Sequence, residues 1–398
     1  MERSILHCDL NCFYASVELL TLPQLRSLPV AVCGDPESRH GIVLAKNELA
    51  KSFGVRTAET IYQARRKCPE LVCIPPHHSR YAQYSQLVNG IYLRYTDLVE
   101  PFGIDESWLD ITGSKHLFGG DPAAIADAIR AAVKRELGLT LSVGVSFNKI
   151  FAKLGSDYKK PDATTVISPE NWRSLLYPLP VTDLLFVGRA AAAVLERLHI
   201  RTIGQLSMAD ADVLEAALGK QGRQLHQYAN GLDRSPVRPY HLSEPIKSVG
   251  NSTTYARNLT TREEVRSAIA LLSDSVAMRL RRHGLYCAGV QVGIKDPQFK
   301  NISRQKQLGR STHLMRDISA AAMELIDAAW KYPSPIRLLS VTAIHLTEAA
   351  ETFEQHSLFE TAAEAGSEKQ EKIERTVDAI RGKFGAGVIG FGGSKDPL

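Results

Sequence analysis

The sequence predicts a multidomain protein that combines α/β and α+β parts. Its 398 residues exceed what a single ordinary core takes up. Strand-like and helix-like patterns alternate over the first 166 residues, which is typical of a mixed sheet covered by helices. Short helices and polar turns replace this alternation between about Ser168 and Ser235, and a second strand-and-helix module follows a proline-containing linker.

The composition is that of a soluble globular protein. Hydrophobic residues make up 44% of the chain and charged residues 23%, and no apolar run is long enough for a membrane span. The first four residues lead into only a few apolar positions before Asp9, which does not fit a signal peptide. We therefore expect a cytoplasmic protein with no membrane partner.

The six cysteines are predicted to be reduced and mostly packed, because they form no CxxC pair and no regular framework. His7, Cys8 and Cys12 offer an alternative, a zinc site. Packing is the stronger interpretation, since a second ligand pair with matching spacing is missing from the sequence.

The first elements are predicted by apolar periodicity. Residues 4–9 read as a buried strand, and an amphipathic helix follows from about Phe13 to Leu20. Short apolar strands at 28–34 and 41–47 flank a turn, and the second strand leads into a helix.

A hairpin and a helix follow in the same α/β unit. Residues 97–113 predict two strands that meet at a tight bend near Gly103 to Glu106. The next helix takes Asp121 as its N-cap and Pro122 as its first residue. "LTLSVGVSFN" then returns as a strand.

The C-terminal half changes character. "LFVGRAAAAVLERLHIRTIGQLSMAD" predicts a helix-hairpin-helix, whose glycine lets backbone N–H groups approach a phosphate. Residues 237–247 form a linker, and two alternating strands follow between helical stretches at 261–283 and 316–331. Residues 240–350 carry 15 Lys+Arg against 9 Asp+Glu, a net of +6 that exceeds the +5 of the whole chain. This segment is therefore expected to bind an anionic partner.

Three carboxylates stand at predicted strand ends. Asp9 ends the first strand, and "GIDESWLD" places Asp105 and Glu106 at the hairpin bend. If the three meet at one edge of the sheet, they suit phosphoryl transfer by two Mg²⁺ ions, because hard cations take oxygen ligands.

Five segments together resemble the Y-family DNA polymerases of the DinB, or DNA polymerase IV, type. These are "CDLNCFYASVE", "FGIDESWLDITG", "LSVGVSFNKIFAKLGSD", "KKPD" and "LLFVGR". They occur in the family's order and at its spacing, and the resemblance covers nearly the whole chain.

The resemblance implies a right-hand polymerase with palm, fingers, helix-hairpin-helix thumb and little-finger domain. We expect the palm at 1–11 and 79–167, the fingers at 12–78, the thumb at 168–236, a linker at 237–248, the little finger at 249–350, and a clamp-binding tail with a terminal helix at 351–398.

It also implies the roles of the site residues. Asp9, Asp105 and Glu106 would serve catalysis and hold two Mg²⁺ ions, and the backbone carbonyl of Leu10 would complete a metal shell. Tyr14 falls on the steric gate, the aromatic ring that lies under the incoming sugar and excludes a ribose 2′-OH by shape. Phe13 is either a second nucleotide contact or core packing.

Basic residues are implied to meet the triphosphate. Lys160 matches the family lysine at this position, and a compact point charge suits a polyphosphate. Where the family commonly has Tyr and Arg in the fingers, this chain has Glu48 and Lys51. Lys51 keeps the charge of the arginine but not its bidentate fork, and Glu48 would repel a triphosphate unless it points away.

Other departures and candidate supports are few. Asn11, Gly103 and Phe186 stand where many members have an acidic residue, a serine and a glycine. In the segment that follows the returning strand, Asn148, Lys149, Lys153 and Ser156 are expected to support the palm and nearby nucleic-acid phosphates.

DNA and clamp contacts are expected in the C-terminal half and in the thumb glycine Gly188. Arg304, Lys306 and Arg310 share even parity on a predicted strand, so their side chains leave one face, where a little finger would grip DNA phosphates. Gln355, Leu358 and Phe359 resemble the peptide by which bacterial polymerases dock on the sliding clamp.

The sequence therefore favours a Mg²⁺-dependent, template-directed DNA polymerase that adds dNTPs to a primer, works as a monomer, and tolerates damaged templates with low fidelity. One alternative is a catalytically silent relative that acts as a clamp-bound scaffold, but Asp9, Asp105 and Glu106 are all retained. A nucleotidyl cyclase with a similar palm is disfavoured by the thumb-like and basic C-terminal regions.

Overall fold

The structure of the protein, a computed structural model, describes residues 3–35, 41–242, 244–348, 361–385 and 387–390. The chain divides into two compact units, residues 1–243 and 244–398. The division falls within the predicted linker. No helix in the described part of the chain is both long and apolar enough to cross a membrane.

The described part of the first unit holds a five-stranded sheet, called here the central sheet, and a three-stranded sheet, called the small sheet. The strands are β1 (Ile5–Leu10), β2 (Val30–Cys33), β3 (Val43–Lys46), β4 (Val72–Ile74), β5 (Val99–Pro101), β6 (Glu106–Asp110), β7 (Leu141–Ser146) and β8 (Thr164–Ile167). The α-helices are α1 (Phe13–Thr21), α2 (Glu48–Ser52), α3 (Ile61–Lys67), α4 (His78–Tyr92), α5 (Pro122–Leu137), α6 (Lys149–Tyr158), α7 (Trp172–Leu176), α8 (Arg189–Arg197), α9 (Ile203–Met208), α10 (Ala211–Leu218) and α11 (Lys220–Ala229).

The central sheet has the strand order β5-β6-β1-β7-β8, and β1 pairs antiparallel with both β6 and β7. Side chains alternate along β1, so Leu6, Cys8 and Leu10 enter the core that α1, α4 and α5 cover. Ile5, His7 and Asp9 leave the opposite face, where α6 packs. Two polar side chains on a fully buried strand thus share the face of α6, which fixes where a site can form.

The small sheet has the order β3-β2-β4, and α2 and α3 complete its core. Asn47 caps α2 by accepting from the Ala50 N–H, and its side-chain oxygen also accepts from the N–H of Val30. One side chain therefore ties the start of α2 to the small sheet. The later helices α7 to α11 share a core of their own with Phe151 and Leu154 of α6.

The second unit contains a four-stranded antiparallel sheet, called here the C-terminal sheet, with the order β11-β10-β12-β9. Its elements are β9 (Ser248–Leu259), α12 (Arg262–His283), β10 (Leu285–Lys295), β11 (Asn301–Thr312), α13 (Met315–Ala329), β12 (Ile336–Glu348) and α14 (Thr361–Phe384). The core of this unit lies between the sheet and helices α12 and α13. The sequence analysis predicts β10, β11 and both helices, but it does not identify β9 or β12.

Helix α14 docks on the second unit through a buried ion pair. The side chains of Arg281 on α12 and Glu374 on α14 pair at 3% and 0% exposure. Arg281 also contacts Asp378 at 2.6 Å, and Arg381 pairs with Asp274 of α12 at 2.8 Å. Removing one partner of a buried pair leaves the other charge uncompensated, so these contacts fix where α14 lies.

Candidate catalytic centre at the end of the central sheet

The structure brings the three predicted carboxylates together. Asp9 on β1 is the direct cross-strand partner of Glu106, the first residue of β6. The N–H of Leu10 donates to the carbonyl oxygen of Asp105 at 3.0 Å, so the bend before β6 is held against the end of β1. The antiparallel register therefore places all three acidic residues at one end of the central sheet.

Two lysines lie among these carboxylates. The Nζ of Lys153 is 2.9 Å from Oδ2 of Asp9 and 2.8 Å from Oε2 of Glu106. Lys160 places its Nζ 2.8 Å from the same Asp9 oxygen. Asp157 completes the group, 3.2 Å from Lys153 and 2.7 Å from Lys160. The sequence predicts that Lys153 supports the palm and nearby nucleic-acid phosphates, and the structure places it between two of the candidate metal ligands.

Helix α6 reaches this position because two glycines face each other. A Cβ at Gly144 on β7 would lie 1.9 Å from the carbonyl oxygen of Ala152, and a Cβ at Gly155 would lie 2.9 Å from the Cα of Gly144. Any side chain at Gly144 would overlap the backbone of α6. The close approach sets the depth of α6 and so carries Lys153 to the carboxylates.

His7 is a further member of the site that the sequence analysis did not identify as such. The Ser156 hydroxyl lies 2.8 Å from Nδ1 of His7 and donates to the carbonyl oxygen of Lys153 at 2.8 Å. Nε2 of His7 lies 3.4 Å from Oε2 of Glu106 and has no hydrogen-bond partner among the described residues. Alternation along β1 was the signal available, because His7 shares a face with Asp9.

The electrostatics of the group favour a bound cation. Burial, together with the charges of Asp9 and Glu106, raises the pKa of Asp105 to about 6. Burial opposes the charge of Lys153, but Asp9 and Asp157 outweigh it and raise the pKa of the lysine. Both shifts have the sign expected where negative charge is in excess.

The donor set also fits a metal ion. His7, Asp9 and Glu106 offer one ligand atom each, and these atoms lie within 4.8 Å of one another. Carboxylate oxygens suit a hard divalent cation, which would compete with Lys153 for Asp9 and Glu106. His7, Cys8 and Cys12, the alternative zinc site of the sequence analysis, are not gathered in the described structure, where the six cysteines are free thiols.

Tyr14 stands beside the carboxylates in an aromatic stack. Its ring is parallel to that of Tyr81 on α4, with centroids 4.0 Å apart and an interplanar angle of 11°. Burial and the neighbouring charge of Asp105 raise the pKa of Tyr14, which places the hydroxyl in the field of the carboxylate group. Tyr81 is held in turn, since its hydroxyl donates to the buried Glu18 at 2.5 Å. Tyr81 has no motif in the sequence that would identify it.

Phe13 occupies a different environment from its neighbour. Its side chain is 3% exposed and belongs to the core beneath α1 and α4. Tyr14, by contrast, is partly exposed. We therefore favour the packing interpretation for Phe13.

Glu48 points to two neighbours. Cys12 Sγ donates to Oε1 of Glu48 at 3.2 Å, and Nζ of Lys51 lies 3.3 Å from Oε2. Lys51 is half exposed, with 51% of its side chain open to solvent. The like-charge problem raised by Glu48 is thus reduced by Lys51, while Lys51 has less free charge to offer a nucleotide.

The loop that carries Lys160 is fixed by Asn11. The side-chain oxygen of Asn11 accepts from the N–H of Asp162 at 2.9 Å, and its amide donates to Ser142 at 3.0 Å. An aspartate at position 11 could accept the first bond but could not donate the second. This explains an amide where many family members have an acidic residue.

The predicted thumb contact Gly188 is the N-cap residue of α8, and a Cβ there would meet open space. Phe186, two residues earlier, has a φ of 72°, the left-handed region that favours glycine. The glycine common at this position in the family is therefore explained by the backbone, and the phenylalanine of this chain bears the strain.

The predicted basic face of β11 lies on the helix-covered side of the C-terminal sheet. Arg304 and Lys306 pair across the strands with Val292 and Val290, whose side chains enter the core, and cross-strand partners share a face. Lys306 pairs with Glu324 of α13 at 2.5 Å, and Arg310 lies 3.7 Å from Asp317. The three residues share parity as predicted, and their contact with DNA remains a prediction.

The opposite face of the C-terminal sheet carries small and uncharged polar residues. Cross-strand partners form two rows over the four strands. One row consists of Gly250, Thr342, Gln291 and Gln305, and the other of Ser252, Ser340, Gly293 and Ser303. Small side chains on this surface would let a nucleic-acid backbone approach closely. Their polar groups could form hydrogen bonds to it that do not depend on the base sequence. The predicted clamp residues Gln355, Leu358 and Phe359 lie outside the described residues.

Comparison with known proteins agrees with this arrangement. Residues 8–157 match the impB/mucB/samB family, and residues 246–358 match the C-terminal domain of that family. The DNA polymerase IV of Acetivibrio thermocellus is 47% identical over 385 residues, which cover 97% of this chain and 96% of that protein. DNA polymerase IV 1 of Bacillus subtilis is 36% identical over 388 residues, covering 98% and 92%.

A solved structure shares the fold. A Y-family DNA polymerase chimera superposes with a TM-score of 0.77, covering 87% of this chain and 99% of that one, at 21% sequence identity. The right-hand polymerase architecture implied by the sequence motifs is thereby confirmed.

Proposed function

This chain belongs to the impB/mucB/samB family, the family of the DNA polymerases IV, and on that premise we propose that it is a template-directed DNA polymerase that extends a primer with dNTPs and copies damaged templates. The observation that carries the proposal is the convergence of Asp9, Asp105 and Glu106 at one end of the central sheet. A group of three carboxylates, of which Asp9 is buried and the other two are partly exposed, suits nucleotidyl transfer when it lies beside a lysine pair and a stacked tyrosine.

We propose Mg²⁺, as two ions, for the family's divalent-metal requirement. Asp9, Asp105 and Glu106 would hold them, together with the backbone carbonyl of Leu10, and the metal supplies charge neutralisation at the reacting phosphate. Asp9 and Glu106 would then exchange the Lys153 ammonium group for metal. Lys153 would remain on α6 within reach of the site. Its positive charge would there limit the repulsion between Glu106 and Asp157.

The nucleotide would be bound between Tyr14 and the lysines. Lys160 lies 2.8 Å from Asp9, which supports it as the cation that would meet the triphosphate. Lys51 on α2 is a weaker candidate, since Glu48 shares its charge. The Tyr14 ring is held flat by Tyr81 and would exclude a ribose 2′-OH by overlap.

For DNA we propose two contact regions. Gly188 opens α8, where its backbone can approach a phosphate. In the second unit the face of the C-terminal sheet with the two polar rows is a better candidate than the opposite face, which carries Arg304, Lys306 and Arg310. Phosphate contacts of this kind position DNA without reading its bases.

A templated extension assay with Mg²⁺ tests the function. The protein should add the complementary deoxynucleotide to a primed template and add none when the metal is chelated. A cyclase would convert nucleotide without primer, and a scaffold would do neither. Either result would overturn the proposal.

The sliding clamp is the proposed protein partner, through Gln355, Leu358 and Phe359. Truncation after Ala350 removes helix α14 as well, so the sharper variant is Leu358→Ala with Phe359→Ala in the full chain. Clamp-stimulated extension should fall to the level of extension without clamp, and unstimulated extension should not change. Unreduced stimulation would refute this docking site.

A further inference from the structure

The loop between α6 and β8, residues 159–163, carries both Lys160 and Asp162. The backbone of Asp162 has a φ of 49°, in the left-handed region that few residues with a Cβ adopt. Backbone of this kind persists where surrounding contacts hold it in place. One such contact is already described, because the Asp162 N–H donates to the side-chain oxygen of Asn11 at 2.9 Å.

Two basic side chains of α5 supply further contacts to Asp162. Arg130 and Lys134 are one helical turn apart, so they lie on the same face of α5. Nη2 of Arg130 donates to Oδ1 of Asp162 at 2.8 Å and also to its carbonyl oxygen. Nζ of Lys134 donates to the other carboxylate oxygen, Oδ2, at 3.0 Å. The N–H, the carbonyl oxygen and both carboxylate oxygens of Asp162 are thus bonded to residues outside the loop.

Lys160 stands two residues before Asp162, with its Nζ 2.8 Å from Asp9 and 2.7 Å from Asp157. A lysine is a point charge on a flexible stem, so the backbone that carries it decides where the charge can reach. We propose that Asp162 is a positioning residue, which fixes the loop so that Lys160 meets the triphosphate of the incoming nucleotide. This role rests on the proposed function, in which Lys160 is that cation.

Asp127 on α5 provides a matched control. Its carboxylate accepts from Nη1 of the same Arg130 at 2.8 Å and from the hydroxyl of Thr164 at 2.7 Å. These two partners lie on α5 and β8 rather than on the loop. If the network served only to hold α5 against β8, the loss of Asp127 and the loss of Asp162 would have similar effects on activity.

The first test is single-nucleotide insertion on a primed template, which gives kcat and KM for the dNTP. Asp162→Ala should raise KM at least about threefold and change kcat less than about twofold, because Lys160 would contact the triphosphate before and during the reaction alike. Asp162→Asn keeps an acceptor oxygen and tolerates the left-handed backbone, so its KM should lie closer to wild type. Asp127→Ala should keep the wild-type KM. Equal increases in KM for Asp162→Ala and Asp127→Ala would overturn the proposal.

The second test repeats the measurement in a Lys160→Met background. Lys160→Met alone should raise KM at least about tenfold, and Asp162→Ala should then add less than about twofold, because Asp162 acts through the lysine. A full additional increase would refute the positioning role. If Lys160→Met leaves KM unchanged, the triphosphate role of Lys160 fails and the role of Asp162 fails with it. If Lys160→Met raises KM and Asp162→Ala does not, only the role of Asp162 fails.

Discussion

Tyr14 and Phe13 are neighbours in the sequence with opposite environments, and the difference sets their roles. Phe13 is buried under α1, whereas the Tyr14 ring is stacked on Tyr81 and lies near Asp105. Because Glu18 holds the Tyr81 hydroxyl, the ring beneath Tyr14 has little freedom. Tyr14 is therefore a rigid surface beside the carboxylates.

Replacing Tyr14 with alanine should open the space for a ribose 2′-OH. Ribonucleotide insertion should rise by orders of magnitude relative to deoxynucleotide insertion, because the metal ligands are untouched. The measurement is the ratio of kcat/KM for matched ribo and deoxy substrates. Tyr14→Phe keeps the ring and should keep the wild-type ratio. An unchanged ratio in Tyr14→Ala would show that the ring serves packing alone.

The strain at Phe186 gives a second prediction for a single residue. Its φ of 72° costs a residue with a Cβ roughly 1 kcal/mol, and glycine avoids this cost. The ring also stands 6.1 Å from that of Tyr228, so its removal has an effect of its own. Phe186→Ala removes the ring but keeps the Cβ, which makes it the proper reference.

Phe186→Gly should therefore be more stable to urea than Phe186→Ala by about 1 kcal/mol. The unfolding midpoints and slopes of the two variants provide the comparison. If the alanine variant is the more stable one, the backbone at this position is not left-handed in solution.

The sequence predicts site residues that belong to a local motif. It does not predict those whose position depends on contacts between distant elements. Asp9, Asp105 and Glu106 were found because they stand at strand ends that an antiparallel sheet brings together. The contacts of Lys153 with Asp9 and Glu106 were not predicted, since its position depends on how closely α6 approaches β7 through Gly144. Tyr81 was missed because its contacts join α4 to α1, and no spacing along the chain reports that.

Among the elements, β11 shows how an edge strand can mislead. Its basic residues share a face, as alternation requires, but only the register with β10 reveals that this face adjoins α13. Strand β12 was missed because its apolar and polar residues are less regularly spaced than those of β10. The position of β9 at the other edge likewise follows from pairing that periodicity does not report.

Two lysines on opposite faces of the C-terminal sheet provide a test of which face binds DNA. Lys295 alternates away from the buried Ile294 and so lies on the same face as the two polar rows, whereas Lys306 is paired with Glu324. Lys295→Ala should weaken primer-template binding and lower the salt slope of log K by up to about 0.9. Lys306→Ala should change the slope much less. The reverse order would place DNA on the other side.

Helix α12 gives a pH-dependent prediction. Glu264 accepts from the N–H of Thr260 at 2.8 Å and of Thr261 at 3.1 Å, and Thr261 caps the helix in return. The Thr260 N–H bond, against some cost of burial and aided by Thr261 and Arg257, lowers the pKa of Glu264 from 4.5 to about 2. A carboxylate whose pKa is lowered by folding stabilises the folded protein at pH values above its unfolded-state pKa. This contribution to stability is lost as the pH falls toward the folded-state pKa.

Glu264→Gln keeps the capping geometry and removes only the charge. The variant should be less stable than wild type at pH 7, by a few tenths to about 1 kcal/mol. The gap should narrow as the pH falls from about 4.5 toward 2. Thermal unfolding of both proteins across this range measures it. A gap that does not vary with pH would mean that the carboxylate charge is not what Glu264 contributes.

At the scale of the whole molecule, each of the two units has its own charged feature. The first unit gathers three carboxylates at one end of the central sheet, and the second contains the segment with a net charge of +6. The six cysteines are free thiols in the described structure. The sequence predicted this division from its composition and linker, but the docking of α14 through Arg281 depends on a buried ion pair that no local pattern announces.

The central claim is that the carboxylates at the end of the central sheet perform templated nucleotidyl transfer. Glu106 and Asp110 stand at opposite ends of β6, so one amide substitution at each position gives a matched pair. Asp110 pairs with Arg3 and accepts from the Thr112 N–H, away from the carboxylate group. The measurement is single-nucleotide insertion on a primed template with Mg²⁺, together with primer-template affinity for each variant.

Glu106→Gln should lower kcat by at least about 10²-fold with unchanged DNA affinity, because charge stabilisation at the reacting phosphate is lost while the duplex contacts remain. Asp110→Asn should insert nucleotides at close to the wild-type rate. Wild-type insertion by Glu106→Gln, or an equal loss in both variants, would contradict the assignment of this site as the catalytic centre.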